Sequence, residues 1–372
     1  MVKEKDFLTL GEILEQVGLG EIKAENINIY IDVIAKNIKD WAIGKGVTHY
    51  AHWFQPLTGN TAEKQEVIES LSADDLKQGE PDASSFPNGC LRDTFEARGY
   101  TSWDMDSPIF IRTYGKGNKV LCIPTIFCSY TGESLCKKLP LLKSQKQIGK
   151  QALRILQALG NTTSTRIITC TGAEQEYFLV SKDLYEKRPD LVLTGRTLFG
   201  KPSPRGQDLQ DHYFGAIKDG ILAFMSEVEV DLKKMGVPIQ TRHNEVAPKQ
   251  YELAVNFSTA SIATDHNQLV METLQKIALR HGLVCLLHEK PFAKLNGSGK
   301  HNNWSLSTDD GINLFRPGNT QEELSQFLLF VSAVIRGVDK YSGLLRMSAT
   351  NIGNAHRLGG HEAPPAIISI LF

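Results

Sequence analysis

RIITCTGAEQEYFLV, residues 166–180, is the stretch whose reading decides the fold. Its apolar, β-branched and aromatic residues predict a strand or a pair of strands. Successive side chains on a strand point to opposite faces, so Glu174 and Glu176, two apart, share one face. Two like charges on an otherwise apolar strand repel each other and lose solvation if buried. Either a divalent cation or arginines compensate them, or that face is open to water.

A second acidic pair lies downstream in RHNEVAPKQYELAVNF, residues 242–257, where Glu245 and Glu252 flank Pro248. Proline disfavours a regular helix, so the segment reads as strand–turn–strand. Adjacent antiparallel strands can then bring both carboxylates to one point. Hard cations such as Mg2+ and Mn2+ take oxygen ligands of this kind. Further on, HEKPFAKLNGSGKHNNWSL, residues 288–306, joins a glycine-rich turn at 296–299 to His301 in a polar run. Glycines let a backbone approach a ligand and present its N–H groups, and a histidine beside such a turn can hold a metal. It is not a P-loop, because Lys294 stands where that pattern needs its first glycine. Taken alone it reads equally as a Gly-Ser hairpin next to a surface histidine. The two glutamate pairs and His301 together predict one divalent-metal cavity, broadly within about 10 Å, as in two-metal clusters with sites about 4 Å apart.

Working outward, the 372 residues suggest two or three domains, and 41% hydrophobic with 22% charged residues is ordinary for a soluble globular chain. A formal net charge of −1 gives no electrostatic case for nucleic acid or anionic membrane. The six cysteines form no C-x-x-C pair and read as reduced and buried. MVKEKDFLTL at the start lacks the apolar core of a signal peptide, and no apolar run approaches the roughly 20 residues of a membrane span. A cytoplasmic location is expected.

Helical periodicity is strongest at residues 27–43, where Ile27, Ile31, Ile34, Ile38 and Trp41 recur at steps of three and four. Further helices are expected at 62–71, 141–159, 209–235, 261–281 and 321–346, the last burying Leu324, Phe327, Leu328, Val331, Val334, Ile335 and Val338. Residues 109–114 and 119–130 read as strands joined by a Gly-Lys-Gly-Asn turn. Residues 184–207, broken by prolines and glycines, read as a connection. GEPDASSFPNG, residues 79–89, is a loop in which Asp82 is by itself a turn former.

Several unusual strings now stand in order: HWFQPLTG, GEPDASSFPNG, TFEARGY, GAEQEYFLV, RPDLVLTGRTLFG, DHYFGAI, TRHNEVAPKQYELA, DHNQL, HEKPFAKLNGSGKHNNWSL and HRLGGHEAPPAI. Together they resemble glutamine synthetase in its long bacterial type III form, from about residue 50 to near the last residue. The resemblance covers the N-terminal half of that form. It implies an α+β fold: a small N-terminal β-grasp-like domain with a helical extension, residues 1–137, and a catalytic α/β domain with a curved antiparallel sheet, residues 138–372, incomplete at its C-terminus.

The resemblance also implies ATP-dependent ligation of ammonia to L-glutamate through γ-glutamyl phosphate, with Mg2+ or Mn2+. By the same matching, one metal takes Glu176, Glu245 and Glu252. The other takes Glu174, His301 and a glutamate for which this chain has no match. Asn296 and Gly297 would hold substrate glutamate, Phe257 would stack on adenine, and Ser305 would help bind the nucleotide. Asn303 stands where shorter members of the family have a second histidine and would hydrogen-bond to phosphate. Arg357 would contact the substrate carboxylate or phosphoryl oxygens, and Glu362 would sit in the flap over the intermediate. Asp82 would reach a neighbouring subunit's site and help deprotonate ammonium, in a homo-oligomer of stacked rings. Two alternatives share these residues: a γ-glutamyl ligase for another amine, and a non-catalytic subunit that assembles with the full-length enzyme. A chain ending after the apolar run 366–372 is expected to have little synthetase activity alone.

Overall fold

A computed structural model describes residues 5–22, 24–57, 61–76, 99–115, 117–129, 131–349 and 353–354. Asp82, Arg357, Glu362 and the run 366–372 lie outside these residues. The chain divides into two compact units, Met1–Lys146 with Leu232–Val237, and Gln147–Asp231 with Pro238–Phe372.

The first unit holds β1 (Phe7–Leu8), α1 (Leu10–Gln16), α2 (Ile31–Gly44), β2 (His49–Phe54), β3 (Ala62–Val67), β4 (Gly99–Trp103), β5 (Ile109–Tyr114) and β6 (Asn118–Ser129). Its sheet runs β1-β5-β6-β2-β3, with β4 added on β6. β2 and β6 are parallel and the other pairs antiparallel. The isoleucine stripe expected from periodicity is the buried face of α2: Ile31, Ile34 and Ile38 pack with Ile27 in one core with Tyr50, Ile109, Leu121 and Ile123. Residues 62–71 are not the expected helix. They form β3 and one 3-10 turn, Ile68–Ser70. Six residues of β3 pair with β2, and Glu63 meets the Arg112 guanidinium and the Tyr114 hydroxyl. Pairing and a buried ion pair outweigh helix propensities of a few tenths of a kcal/mol per residue.

After α3 (Lys138–Ala158), the second unit is organised on β7 (Ile167–Ser181). It continues with α4 (Lys182–Tyr185), α5 (Pro189–Thr194), α6 (Asp219–Lys234), β8 (Ile239–Asn244), β9 (Gln250–Val255), β10 (Ser258–Thr259), α7 (Ala260–Arg280), β11 (Leu283–Leu286), β12 (Lys300–Thr308), α8 (Gln321–Lys340) and α9 (Ser342–Ala349). β12 and β11 pair along one edge of β7, β10 and β9 along the other, and β8 lies outside β9. All these pairs are antiparallel. One face of β7 is helix-covered: the Tyr177 ring meets Phe224 of α6 edge-on at 6.3 Å and lies 5.9 Å from Tyr251 of β9, and Asn267 of α7 donates to Gln175 at 3.4 Å. The opposite face carries Glu174 and Glu176.

Three further expectations are corrected. The helix expected at 209–235 begins only at Asp219, because Leu209 and Gln210 adopt φ of 56° and 55°, which no right-handed helix accommodates. The connection 184–207 contains α5, started by Pro189 and ended by Gly195 at φ 71°. The helix expected at 321–346 is divided at Tyr341, and it buries Phe327 and Phe330 while Leu324, Leu328 and Ile335 are exposed. Its periodicity is helical, but among the described residues of its apolar stripe only the two phenylalanines are buried. Among the described residues no two cysteines form a disulfide.

The turn between β8 and β9 is the strand–turn–strand expected from Pro248. Gln250 N donates to the Ala247 carbonyl at 3.1 Å, and Lys249 sits at φ 66°. A left-handed conformation costs a non-glycine residue about 1–2 kcal/mol. Lys249→Gly is therefore expected to leave stability unchanged or raise it by up to about 1 kcal/mol, the added chain entropy offsetting part of the relief. Lys249→Val is expected to lower it by about 1–2 kcal/mol. Chemical denaturation of both variants checks this, and equal stabilities would refute it.

Candidate active site

The sheet registers place the candidate residues. Across β7, β9 and β8, Glu176 stands opposite Glu252, which stands opposite His243. On the other edge of β7, His301 of β12 stands opposite Glu174. Directly opposed residues of an antiparallel pair share a face. Glu245, two residues past His243, continues the same face. Both acidic pairs and His301 therefore lie together on the face away from the helices.

The contacts are short. His301 Nδ1 is 3.2 Å from Glu174 Oε2 and 3.8 Å from Glu176 Oε1. His243 Nε2 is 3.3 Å from Glu252 Oε1, and its Nδ1 is 3.7 Å from Glu245 Oε1. Glu174, Glu252 and His301 each offer a ligand atom within 4.8 Å of the others, and so do His243, Glu245 and Glu252. Glu252 belongs to both groups. Glu176, Glu245 and Glu252 are only 5%, 9% and 8% exposed.

Three buried carboxylates with a fourth beside them raise one another's energy unless positive charge is supplied. Part comes from the histidines. The hydrogen bond to Glu252, with the charges of Glu252 and Glu245, pushes His243 up to about 9 against the opposing effect of burial. Hydrogen bonds from His301 and Asn303 hold Glu174 below the usual carboxylate range although burial opposes them. Among the described residues, two imidazoles face four carboxylates across this cluster. A set of carboxylate oxygens with imidazole nitrogens suits a divalent cation, so the residues present fit a metal.

The glycine turn is built into this cluster. Gly297, Ser298 and Gly299 are buried, and the Gly299 N–H donates to Glu176 Oε2 at 2.7 Å. Asn296 is gripped by Gln207: its N–H donates to Gln207 Oε1 at 2.6 Å, and Gln207 Nε2 donates to Asn296 Oδ1 at 2.7 Å. Phe257 is 73% exposed. Its Cβ lies 3.5 Å from where a side chain on Gly172 would begin, so it rests over β7 on the face that carries Glu174. Gly172 is opposite Asn303, and Cys170 is opposite Ser305, so Asn303 and Ser305 are on that face too. Asn303 Nδ2 donates to Glu174 Oε1 at 2.7 Å.

Sequence reading missed four residues here. His243 precedes Glu245 by two and Gln250 precedes Glu252 by two, so the period of a strand would have found both. Gln207 comes from an irregular connection with no periodic signal, and Tyr213, whose ring lies 5.2 Å from that of His243, from a stretch expected to be helical. Asp82, Arg357 and Glu362 lie outside the described residues.

Two units, each with helices and an open sheet, the second bearing carboxylates and imidazoles on a single face, make this an α+β protein with an acidic sheet as its candidate site. Residues 21–144 match the family description "Glutamine synthetase type III N terminal", and residues 146–368 match "Glutamine synthetase, catalytic domain". The chain belongs to the glutamine synthetase family, in its type III branch. It is 52% identical over 350 residues to the type-3 glutamine synthetase of Dictyostelium discoideum, a match covering 91% of this chain and 48% of that one. It is 54% identical over 349 residues to a glutamine synthetase of Bacteroides fragilis, covering 91% of this chain and 47% of that one. The chain thus spans about half the length of these relatives. Its fold is similar to that of Plasmodium falciparum glutamine synthetase, with a TM-score of 0.54 at 17% identity, covering 81% of this chain and 56% of that one.

Proposed function

We propose that this chain carries the metal, nucleotide and glutamate platform of an ATP-dependent glutamate–ammonia ligase acting in the cytoplasm as a homo-oligomer. The observation that carries the reading is the convergence of Glu174, Glu176, Glu245, Glu252 and His301 on one sheet face, with Phe257 on the same face. Glu176, Glu245 and Glu252 would hold one Mg2+ or Mn2+, and Glu174 with His301 would contribute to a second. Such cations, when bound, neutralise charge on a transferring phosphoryl group and hold it in line.

In this reaction the γ-carboxylate of glutamate takes the γ-phosphoryl group of ATP and ADP leaves. Ammonia, formed from ammonium by loss of a proton, then attacks the acyl carbon and phosphate leaves. Asn296 and Gly297, braced by Gln207, would bind glutamate beside the carboxylates. Phe257 offers an open ring for the adenine, and Ser305 and Asn303 line the path towards the phosphates. Asp82, Arg357 and Glu362 are assigned deprotonation of ammonium in the adjacent subunit, contact with the phosphoryl oxygens and closure of the flap. Among the described residues no helix is long and apolar enough to cross a membrane, which agrees with the location proposed.

The test is Mn2+ titration by electron paramagnetic resonance, with γ-glutamyl hydroxamate formation assayed in parallel. Saturable Mn2+ binding is the expected result, and any hydroxamate formation is expected to need ATP, glutamate and metal together. Absence of saturable binding would overturn the reading. Phe257→Ala is expected to weaken ADP binding about 5- to 150-fold, the loss of a base–aromatic stack worth about 1–3 kcal/mol, and to leave Mn2+ affinity unchanged. Calorimetry with ADP reads the effect. Unaltered ADP affinity would remove Phe257 from the nucleotide site.

A further inference from the structure

We infer that Gln250 is a positioning residue that couples cation binding at Glu176 to glutamate binding at the glycine turn. The inference rests on the function proposed above. Gln250 is 1% exposed, and its side-chain amide makes three hydrogen bonds to three separate segments. Its Oε1 accepts from Ala247 N at 3.2 Å, in the turn between β8 and β9. Its Nε2 donates to Glu176 Oε2 at 3.0 Å and to the Gly297 carbonyl at 2.8 Å. Both N–H groups of the amide are thereby used.

The consequence for Glu176 is orientation. Gly299 N also donates to Oε2, so that oxygen is committed to two donors and Oε1 is the one turned towards His301. A carboxylate clamped through one oxygen presents the other at a defined angle and does not rotate to meet a cation. The consequence for the turn is equally direct. Gly297 is held from within by Gln250, while Asn296 is held by Gln207 from the connection ahead of α6. One amide therefore joins the carboxylate to the substrate turn. A cation that tightens Glu176 tightens the turn, and linkage makes the effect reciprocal: glutamate must strengthen cation binding by the same factor. Other side chains do not replace this amide. Glutamate lacks the two donors, and asparagine is a methylene shorter.

The experiment measures Mn2+ affinity by electron paramagnetic resonance with and without saturating L-glutamate, in the unaltered chain and in Gln250→Met and Gln250→Asn. Thermal unfolding of the metal-free proteins is recorded alongside. In the unaltered chain glutamate is expected to tighten Mn2+ binding, and Mn2+ to tighten glutamate binding by an equal factor. Both variants are expected to bind Mn2+ about 10- to 100-fold more weakly, the usual cost of losing a partner that orients a metal ligand, and to lose the coupling. A merely structural role would lower the unfolding temperature and leave Mn2+ affinity and coupling intact in the folded fraction, which would overturn the inference. If neither variant folds, the unaltered chain still decides: equal Mn2+ affinities with and without glutamate would overturn it. Absence of Mn2+ binding in the unaltered chain would overturn the proposed function and this inference together. Binding that is sensitive to Glu252 and insensitive to Gln250 would overturn the inference alone.

Discussion

Glu252→Gln is expected to reduce Mn2+ affinity on the order of 10³-fold, because affinity at oxygen-ligand sites follows the number of charged ligands. Glu252 is the residue for which the largest loss is expected, since its carboxylate belongs to both groups of converging ligand atoms. Any ligation activity should fall by at least a comparable factor, as it does when a positioned cation is lost from phosphoryl transfer. Folding should respond differently. Glu252 is 8% exposed among other carboxylates, and its ion pair is with His243 at 3.3 Å. Removing one charge of four relieves repulsion while weakening that pair, so the metal-free chain should change stability by less than about 1 kcal/mol. A purely structural ion pair predicts the reverse: breaking a buried pair costs about 3–5 kcal/mol and leaves metal binding alone. Titration with Mn2+ and urea unfolding of the metal-free protein separate the two, and unchanged Mn2+ affinity would sink the assignment.

Phe178→Ala should destabilise the second unit by about 3–5 kcal/mol, as deletion of a large core aromatic does. Phe178 is fully buried with Leu191, Ala247 and Leu286, and its ring lies 5.3 Å from that of Phe292. Ala247 belongs to the turn between β8 and β9, and Leu295, which packs on the same cluster, immediately precedes Asn296. The cavity would thus open beneath both segments that Gln250 joins, and Mn2+ affinity should fall with stability. The neighbouring Tyr177 supplies a contrast. Its hydroxyl is buried with no hydrogen-bond partner among the described residues. Tyr177→Phe removes an unsatisfied polar group and should be neutral or stabilising. Urea unfolding of both variants checks the pair. A Phe178→Ala cost below about 1 kcal/mol would mean that this cluster does not support the site.

Much of the second unit was legible because its elements are strongly periodic or interrupted by proline. β7 follows from its β-branched and aromatic content, β8 and β9 from Pro248, and α7 from its apolar stripe. Where local signals misled, a distant partner was responsible. Residues 62–67 are good helix formers, yet β2 offered an edge and Arg112 a counter-charge. Residues 209–218 continue a helical pattern, yet Asn244 donates to the Gly215 carbonyl at 2.7 Å and Tyr213 packs on His243, contacts that lie outside any helix at this point.

By itself the sequence determined which side chains could share a face. Glu174 with Glu176, and His301 with Asn303 and Ser305, are two apart on strands, and that parity is a property of the backbone. Only the tertiary structure decided that these faces coincide. A slip of one residue between β7 and β9 would turn Glu252 to the helix-covered side, and nothing within either strand forbids it. The register that sets Glu176 opposite Glu252, and Glu174 opposite His301, is selected by packing the whole sheet on α6 and α7. The grip of Gln207 on Asn296 and the three bonds of Gln250 depend likewise on segments far apart in the chain. Such contacts follow from how the chain closes on itself, and local propensity carries no record of them.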